Sequence, residues 1–398
     1  MDCGANDSKS LPPSTWPSKP IDALKQASAM GCCDATNPGL VGPVRDRERN
    51  LSPKRAPGRP NPGNTWDRRT ALKSLIGLAG VMAVSSCAAK PTDGTVAVRL
   101  AFCGQLLCVV PYEMARAGGH FAAQGLNAEL IYTRGGSAAM QALVGGAVDY
   151  AGTSFDVALQ AAANGAAVRR VASTGRLPLF ALAVSPEQAG TIGAIRELEN
   201  RTVGISGLGN ADHALLLFLL DQAGVNADQV RFAAIGTNLF DALRIGQVDA
   251  AMLQEPALSL ITEAGGQTLV NFMNLSEATT YLGGAYEFMG VSVRSNERDR
   301  RLPEIRRLAA ALEGGLNDAR LLPPPDIVSA LPRALIAGGD VTQLEQIIER
   351  HRLSLYPEHV RIDVAASERV VAAQEVAGIL EPGQIALDTL LDVDALSE

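Results

Sequence analysis

The chain has 398 residues and a formal net charge of −7; 47% of it is hydrophobic, 19% charged and 4% aromatic. That is enough chain for two lobes of ordinary globular composition, and the acidic balance leaves no basic face of the kind a nucleic-acid partner needs. Six cysteines are too few for a disulfide scaffold: three lie in a Pro-rich leader, and only Cys103 and Cys108 fall in the part expected to fold. No CxxC pair with partner ligands is present for zinc, so neither a metal nor a cofactor is expected. A Cys103–Cys108 bridge after export and a pair of small buried thiols are both compatible with the spacing, because geometry decides such bonds.

Residues 1–65 are rich in Pro, Gly, Asn, Arg and Ser with no sustained apolar period, and are expected to form a disordered leader. Residues 66–95 change character. Asp67 to Lys73 is a basic stretch, Leu75 to Val84 is a ten-residue apolar run, and Val84-Ser85-Ser86-Cys87 follows. A run of ten is too short to span a bilayer as a helix but suits the apolar core of an export signal. The small residues before Cys87 resemble a lipoprotein cleavage box, which makes Cys87 the expected lipidation site. Arg68-Arg69 resembles a twin-arginine signal, with Ala71 where an aromatic or leucine is usual.

From Val96 onward strands and helices alternate. Val96–Phe102 reads as a strand, Pro111–Phe121 as a helix, Ala128–Tyr132 as a strand, Ser137–Leu143 as a short helix and Val148–Ala151 as a buried strand. A helix over Phe155–Ala163 and strands over Val168–Ser173 and Phe180–Val184 follow. Next come a strand at Thr202–Ile205, a helix at Ala211–Ala223, a strand at Val230–Ile235, and helices at Leu239–Ile245 and Pro256–Ala264. The run 142–151 matches 242–251 at six of ten positions, including Asp149 and Asp249. A self-match at an offset of 100, with the same order of elements around it, points to two related lobes. Phe288–Arg294 reads as a strand returning the chain to the first lobe. Helices at Pro303–Asn317, Pro324–Ala330, Val341–His351 and Ala365–Ala377 form a helical tail. The expected organisation is lobe one from 96–185, lobe two from 186–286, and a return with C-terminal helices over 287–398. The fold class is α/β, with mainly parallel sheets built from right-handed crossovers.

In open α/β sheets ligands sit beyond the carboxyl ends of strands, where helix N-termini present free N–H groups. The candidate binding residues are those of the strand-end loops. In lobe one they are Arg134, Gly136, Ser137, Thr153, Ser154 and Arg176; in lobe two, Ser206, Gly207, Gly209, Asn210 and Glu255. Arg134 and Arg176 are candidates for an anion clamp, since a guanidinium fork suits sulfonate or carboxylate. Glu255 is placed to face a ligand amine. Ser137, Ser206 and Thr237 also read as plain helix caps, and Asp149 and Asp249 as structural residues holding equivalent turns. None of the four histidines sits in a nucleophile or metal motif, and no catalytic residue is assigned.

Pro111-Tyr112-Glu113-Met114-Ala115, Gly119-His120-Phe121, Gly125-Leu126, Gly135-Gly136-Ser137 and Gly146-Ala147-Val148-Asp149 recur in order with Gly246-Gln247-Val248-Asp249-Ala250 and Glu255-Pro256. Together, over about residues 96–300, they resemble the nitrate/sulfonate/taurine and thiamine-pyrimidine substrate-binding family. The resemblance implies a type II periplasmic-binding fold with a discontinuous first lobe and an inserted second lobe, and it adds the Cys103, Gly104 and Gln105 loop to the expected binding residues. It implies a small solute (an oxyanion, sulfonate or pyrimidine-like ring), an ABC permease and ATPase as partners, and a monomer at the periplasmic or cell-surface side of a membrane, held there through Cys87. The family also contains pyrimidine synthases with a Cys-rich motif that this chain lacks, so a non-enzymatic carrier is expected. A synthase using His213 and Glu255, or a ligand-sensing receptor subunit, is the alternative.

Overall fold

The computed structural model describes residues 95–336 and 339–397. The leader, Arg68-Arg69, the apolar run and Cys87 lie outside the described residues. Lobe one opens with β1 (Val96–Cys103), α1 (Leu106–Ala117), α2 (His120–Ala123), β2 (Leu126–Thr133), α3 (Gly136–Val144), β3 (Tyr150–Ser154), α4 (Phe155–Ala163) and β4 (Val168–Ser173). A first crossing leads to β5 (Ala181–Val184), β6 (Thr202–Ile205), α5 (Ala211–Gln222), β7 (Arg231–Ala234), α6 (Leu239–Arg244), β8 (Ala250–Leu253), α7 (Ala257–Glu263), β9 (Gln267–Asn271) and α8 (Leu275–Leu282). A second crossing delivers β10 (Met289–Arg294). The chain ends in α9 (Arg298–Leu321), α10 (Pro324–Ala330), α11 (Arg333–Ile336), α12 (Val341–Leu355), α13 (Val364–Val376) and α14 (Leu387–Leu390).

The strands form two separate five-stranded sheets, ordered β2-β1-β3-β10-β4 and β7-β6-β8-β5-β9. The plan is the same in each. The first strand of the lobe pairs in parallel with the second and third. The strand arriving from the other lobe, β10 or β5, then enters antiparallel to both its neighbours. Each sheet is therefore mixed, with four strands sharing a direction and the crossing strand opposed to them. Both crossing strands carry a register irregularity on their outer side, between Val291 and Ser292 and between Leu182 and Ala183.

The repeat has a physical cause. Asp149 Oδ2 accepts from the Arg99 N–H and Asp249 Oδ2 from the Thr202 N–H, both at 2.8 Å. The N–H of each aspartate returns a bond to the same strand, to Arg99 O and Thr202 O. Each carboxylate thus fixes the turn that feeds the third strand beside the first, as the structural reading of the pair expects.

α1 begins at Leu106, five residues before the expected Pro111. Proline has no N–H for the carbonyl four residues back, here Leu107 O. That carbonyl instead accepts from the buried Tyr356 hydroxyl at 2.9 Å, so the C-terminal region supplies the bond that the proline removes. α9 crosses α1 at Gly315, where a Cβ would lie 2.3 Å from Pro111 O and 2.7 Å from Ala115 N. Only glycine permits the two helices to pack at that distance.

The crossings run side by side. The Tyr286 N–H bonds Arg176 O, the Phe288 N–H bonds Gly175 O, and the Thr174 N–H bonds Met289 O. Beneath them lies Arg170 of β4, fully buried. Its Nη1 donates to Thr153 O (2.8 Å) and Gly290 O (3.1 Å), and its Nη2 to Phe288 O (2.8 Å) and Glu287 Oε1 (3.2 Å). A Cβ on residue 290 would collide with Ala172 O and the Arg170 side chain, so glycine is required there too. α13 packs against α4 of lobe one and α5 of lobe two and so spans the crossing. Among the described residues no helix is long and apolar enough to cross a membrane.

Candidate functional site

The sheet register gathers the lobe-one candidates. Cys103 pairs with Thr133, and Phe102 with both Tyr132 and Gly152, so the β1, β2 and β3 ends lie side by side. Gly104 sits against Thr133 O, and Gly136 against the Thr153 side chain. Thr153 is buried and donates through Oγ1 to Ser154 O. Ser154 caps α4 by accepting from the Val157 N–H at 3.4 Å. Ser137 is exposed and lies inside α3, whose cap is Gly135, so the cap expected of Ser137 is not made. Arg134 is also exposed, and among the described residues it has no hydrogen bond or ion pair.

In lobe two the Ser206–Asn210 loop is held by its own side chains. Buried Asp212 accepts from the Ser206 N–H (2.5 Å) and from Ser206 Oγ (2.7 Å). Asn210 Nδ2 donates to Ser206 Oγ at 2.9 Å, and the Gly209 N–H donates to His213 Nδ1 at 3.1 Å. Ser206 is therefore not the cap of α5, a position taken by Asn210, and its hydroxyl proton is already committed to Asp212. Burial lowers the His213 pKa, consistent with a neutral ring accepting at Nδ1. This histidine orients the loop, a role its place on an apolar helix did not reveal. Across the lobes, Gln160 Nε2 of α4 donates to Gly209 O at 2.7 Å. That bond brings the lobe-two loop against the helix that Ser154 caps.

Two candidates are corrected. Arg176 is not free to clamp an anion: its Nε donates to Ser354 O (2.9 Å) and its Nη2 to Leu353 O (2.7 Å), carbonyls at the end of α12. Glu255 does not face an open site. It is buried, accepts from the Ser259 N–H and Oγ at 3.0 Å, and pairs with His351 Nε2 at 3.2 Å. Burial raises its pKa, but the bonds from His351 and Ser259 outweigh that and hold it below the usual value. Glu255 ties α12 to the end of β8. In both cases the partner lies roughly 100 residues or more further along the chain, where local spacing carries no signal.

Sequence reasoning also missed a polar cluster under the crossing. Asp156 Oδ1 accepts from the Tyr286 hydroxyl (3.0 Å) and from Gln374 Nε2 (2.7 Å), while its Oδ2 has no partner among the described residues. Burial pushes the Asp156 pKa up to about 6 against these two bonds. A cavity of about 660 Å³ lies elsewhere, along α9 and the C-terminal tail. Its Arg306 and Glu313 already bind Ala395 O and the Val360 N–H, so it is the seam beneath that tail rather than part of the strand-end cluster. Among the described residues no three His, Cys, Asp or Glu side chains are grouped to hold a metal ion.

Comparison with known proteins agrees with this geometry. The NMT1/THI5-like family model matches residues 109–320, more than half of the chain. A search of curated protein sequences found no match. Among solved structures, a protein from Bordetella bronchiseptica RB50 is 22% identical, with a TM-score of 0.66 over 76% of this chain and 96% of its own. The periplasmic aliphatic sulphonate-binding protein SsuA from Escherichia coli is 17% identical, with a TM-score of 0.56 over 71% and 91%. The periplasmic nitrate-binding protein NrtA from Synechocystis PCC 6803 is 9% identical, with a TM-score of 0.63 over 76% and 87%. The last two are periplasmic binding proteins, and the likeness establishes the periplasmic-binding-protein fold. The chain belongs to the NMT1/THI5-like family.

Proposed function

We propose that this chain is the extracytoplasmic solute-binding lipoprotein of an ABC importer. It captures a small sulfonate- or nitrate-like anion, or a pyrimidine-like ring, by closing two lobes, and passes it to a permease with its ATPase. The observation that carries the reading is the Gln160–Gly209 bond, which sets the strand-end loops of two like-built lobes against each other beside paired crossings. Two segments that cross side by side between the sheets suit hinge closure. Backbone N–H groups at Gln105–Leu106, Gly135–Ser137, Gly207–Leu208 and Ala211, with the exposed Arg134 guanidinium, would hold the solute. On the corrected geometry Arg176 and Glu255 act through the hinge and α12 rather than on the solute.

The signal-like segment and Cys87 supply the membrane anchor, on the sequence pattern alone, and place a monomer at the periplasmic or cell-surface side. A thermal-unfolding screen of the whole chain against alkanesulfonates, nitrate, pyrimidines and aromatic acids tests the function. A rise in midpoint with one of these classes is expected; a folded protein that none of them stabilises contradicts it. Metabolic labelling with radioactive palmitate tests the anchor, with incorporation in the wild type and none in Cys87→Ser.

A further inference from the structure

Helix α13 is rooted in lobe one and lies against lobe two. The chain reaches it from Val360, whose carbonyl accepts from the Ser173 N–H of β4 at 2.7 Å, and leaves it for Asp392, whose N–H bonds Arg170 O of the same strand at 2.9 Å. Between these two fixings α13 packs on α4 and on α5, and Arg369 Nη1 ties it to the second crossing through Ala285 O at 2.9 Å. α5 is buried over more than one stripe, at Ala211, Leu215 and Phe218 and again at Leu216, Leu219 and Leu220. A helix buried round so much of its circumference needs cover besides its own sheet, and α13 packs there. α5 is also the helix whose Asp212 and His213 hold the Ser206–Asn210 loop.

The buried stripe of α13 runs through Ala366, Val370 and Ala373 and takes in Gln374. That amide is fully buried, at a place where an apolar side chain would be usual. Its Nε2 donates to Asp156 Oδ1 at 2.7 Å. Its Oε1 accepts at 3.5 Å from Gln160 Nε2, the nitrogen that also donates to Gly209 O at 2.7 Å. One line of polar groups thus runs from the Tyr286 hydroxyl in the crossing, through Asp156 and Gln374, to Gln160 and lobe two. Asp156 Oδ2, buried in the same line, has no partner among the described residues. The line is therefore not fully satisfied in this arrangement, which leaves another setting of α13 able to compete with it.

We propose that α13 is a strap across the hinge that holds lobe two against lobe one even without solute, with Gln374 as the positioning residue that keeps the Gln160 amide on Gly209 O. Entry and release of solute then require α13 to slip on α5. The strap presupposes the two-lobe closure proposed above, but not the identity of the solute.

The test is small-angle X-ray scattering of the full chain, stripped of solute by partial unfolding and dialysis, with urea unfolding of the same samples to show that each variant is folded. Gln374→Leu, which keeps the bulk and removes the amide, is expected to raise the radius of gyration above that of the wild type. Gln160→Ala, at a half-buried site, is expected to raise it too. The double variant is expected to open no further than Gln160→Ala alone, because both residues act through one bond. If Gln374→Leu does not fold, Arg369→Ala, which unties α13 from Ala285 O, carries the same expectation. A folded Gln374→Leu or Arg369→Ala protein whose curve superimposes on the wild type overturns the strap, as does a double variant that opens by the sum of the two. Opening by these variants in a protein that the solute screen leaves unstabilised would count against the carrier and keep the strap; stabilisation by a solute without such opening would do the reverse.

Discussion

The two lobes share a strand plan but not a way of holding their crossing strands. In lobe two, β5 is four buried apolar residues, Ala181 to Val184, packed between β8 and β9. In lobe one, β10 lies over the fully buried Arg170, which binds three carbonyls and a carboxylate around it. The equivalent strand of lobe two, β9, carries Thr268 at that register position and no cation. One sheet is thus held by apolar burial that tolerates sliding, the other by directional bonds with one satisfying geometry. The lesson is that a repeat copies topology while each copy solves its own packing, and lobe one is the copy whose strand ends meet a rigid floor.

The largest expected effect breaks that asymmetry. Arg170→Ala strands the Glu287 carboxylate and three carbonyls in the interior, and about 3–5 kcal/mol of stability is expected to be lost in urea unfolding. Leu182→Ala in β5 sets the apolar comparison, with a cost of about 2–5 kcal/mol through the cavity it leaves. If Arg170→Ala unfolds at the wild-type midpoint, the ionic anchor of lobe one is wrong.

Asp156 gives the next effect through pH. Its folded pKa, about 6, lies above the ordinary carboxyl value of 3.8. The folded state therefore holds the proton more tightly, and this stabilisation is complete below the ordinary value and is lost as pH rises through about 6. Between those limits stability is expected to fall by up to about 3 kcal/mol from this group. Asp156→Asn is expected to flatten that part of the profile. An unchanged slope would mean the carboxyl titrates normally and the hinge cluster is wetter than drawn.

A smaller difference separates the twin aspartates. Asp149 also pairs with Arg301 at 2.7 Å, whereas the Arg201 partner of Asp249 stands at 3.8 Å. Asp149→Asn is expected to cost about 1–2 kcal/mol and Asp249→Asn about half as much. Equal costs would show that the turn bond alone matters and that the arginines add nothing.

The least effect on stability comes from the two arginines read as clamps. Arg134→Ala is expected to leave unfolding unchanged within about 0.5 kcal/mol and to weaken binding of an anionic solute. Arg176→Ala is expected to do the reverse, lowering stability through the α12 carbonyls it leaves unbonded. Titration and unfolding of both variants separate the roles.

Lobe architecture was legible because its signals are local. The 142–151 and 242–251 match carries the aspartate that fixes each turn, and the alternation of strands and helices follows from side-chain period. The mixed sheets needed the route of the chain, since β5 and β10 read as strands without revealing their opposed direction. β9 and α8 went unread because Gln267–Asn271 is a short edge strand with polar ends and Leu275–Leu282 a helix rich in Ser and Thr. The early start of α1 was hidden by Pro111, whose missing bond is replaced from Tyr356. At the site, loop glycines and Ser154 were visible from spacing, but the partners of Arg176, Glu255 and His213 were not. A side chain facing two carbonyls of a helix nearly 180 residues away looks, in sequence, like a free one.

The most direct measurement is hydrogen–deuterium exchange of the whole protein purified from its own host, before and after its solute is stripped by partial unfolding and dialysis. Stripping is expected to speed exchange together at the amides near residues 104–107 and 135–139 in lobe one and 207–211 in lobe two. Unchanged exchange, or a change confined to a single lobe, would contradict capture between them.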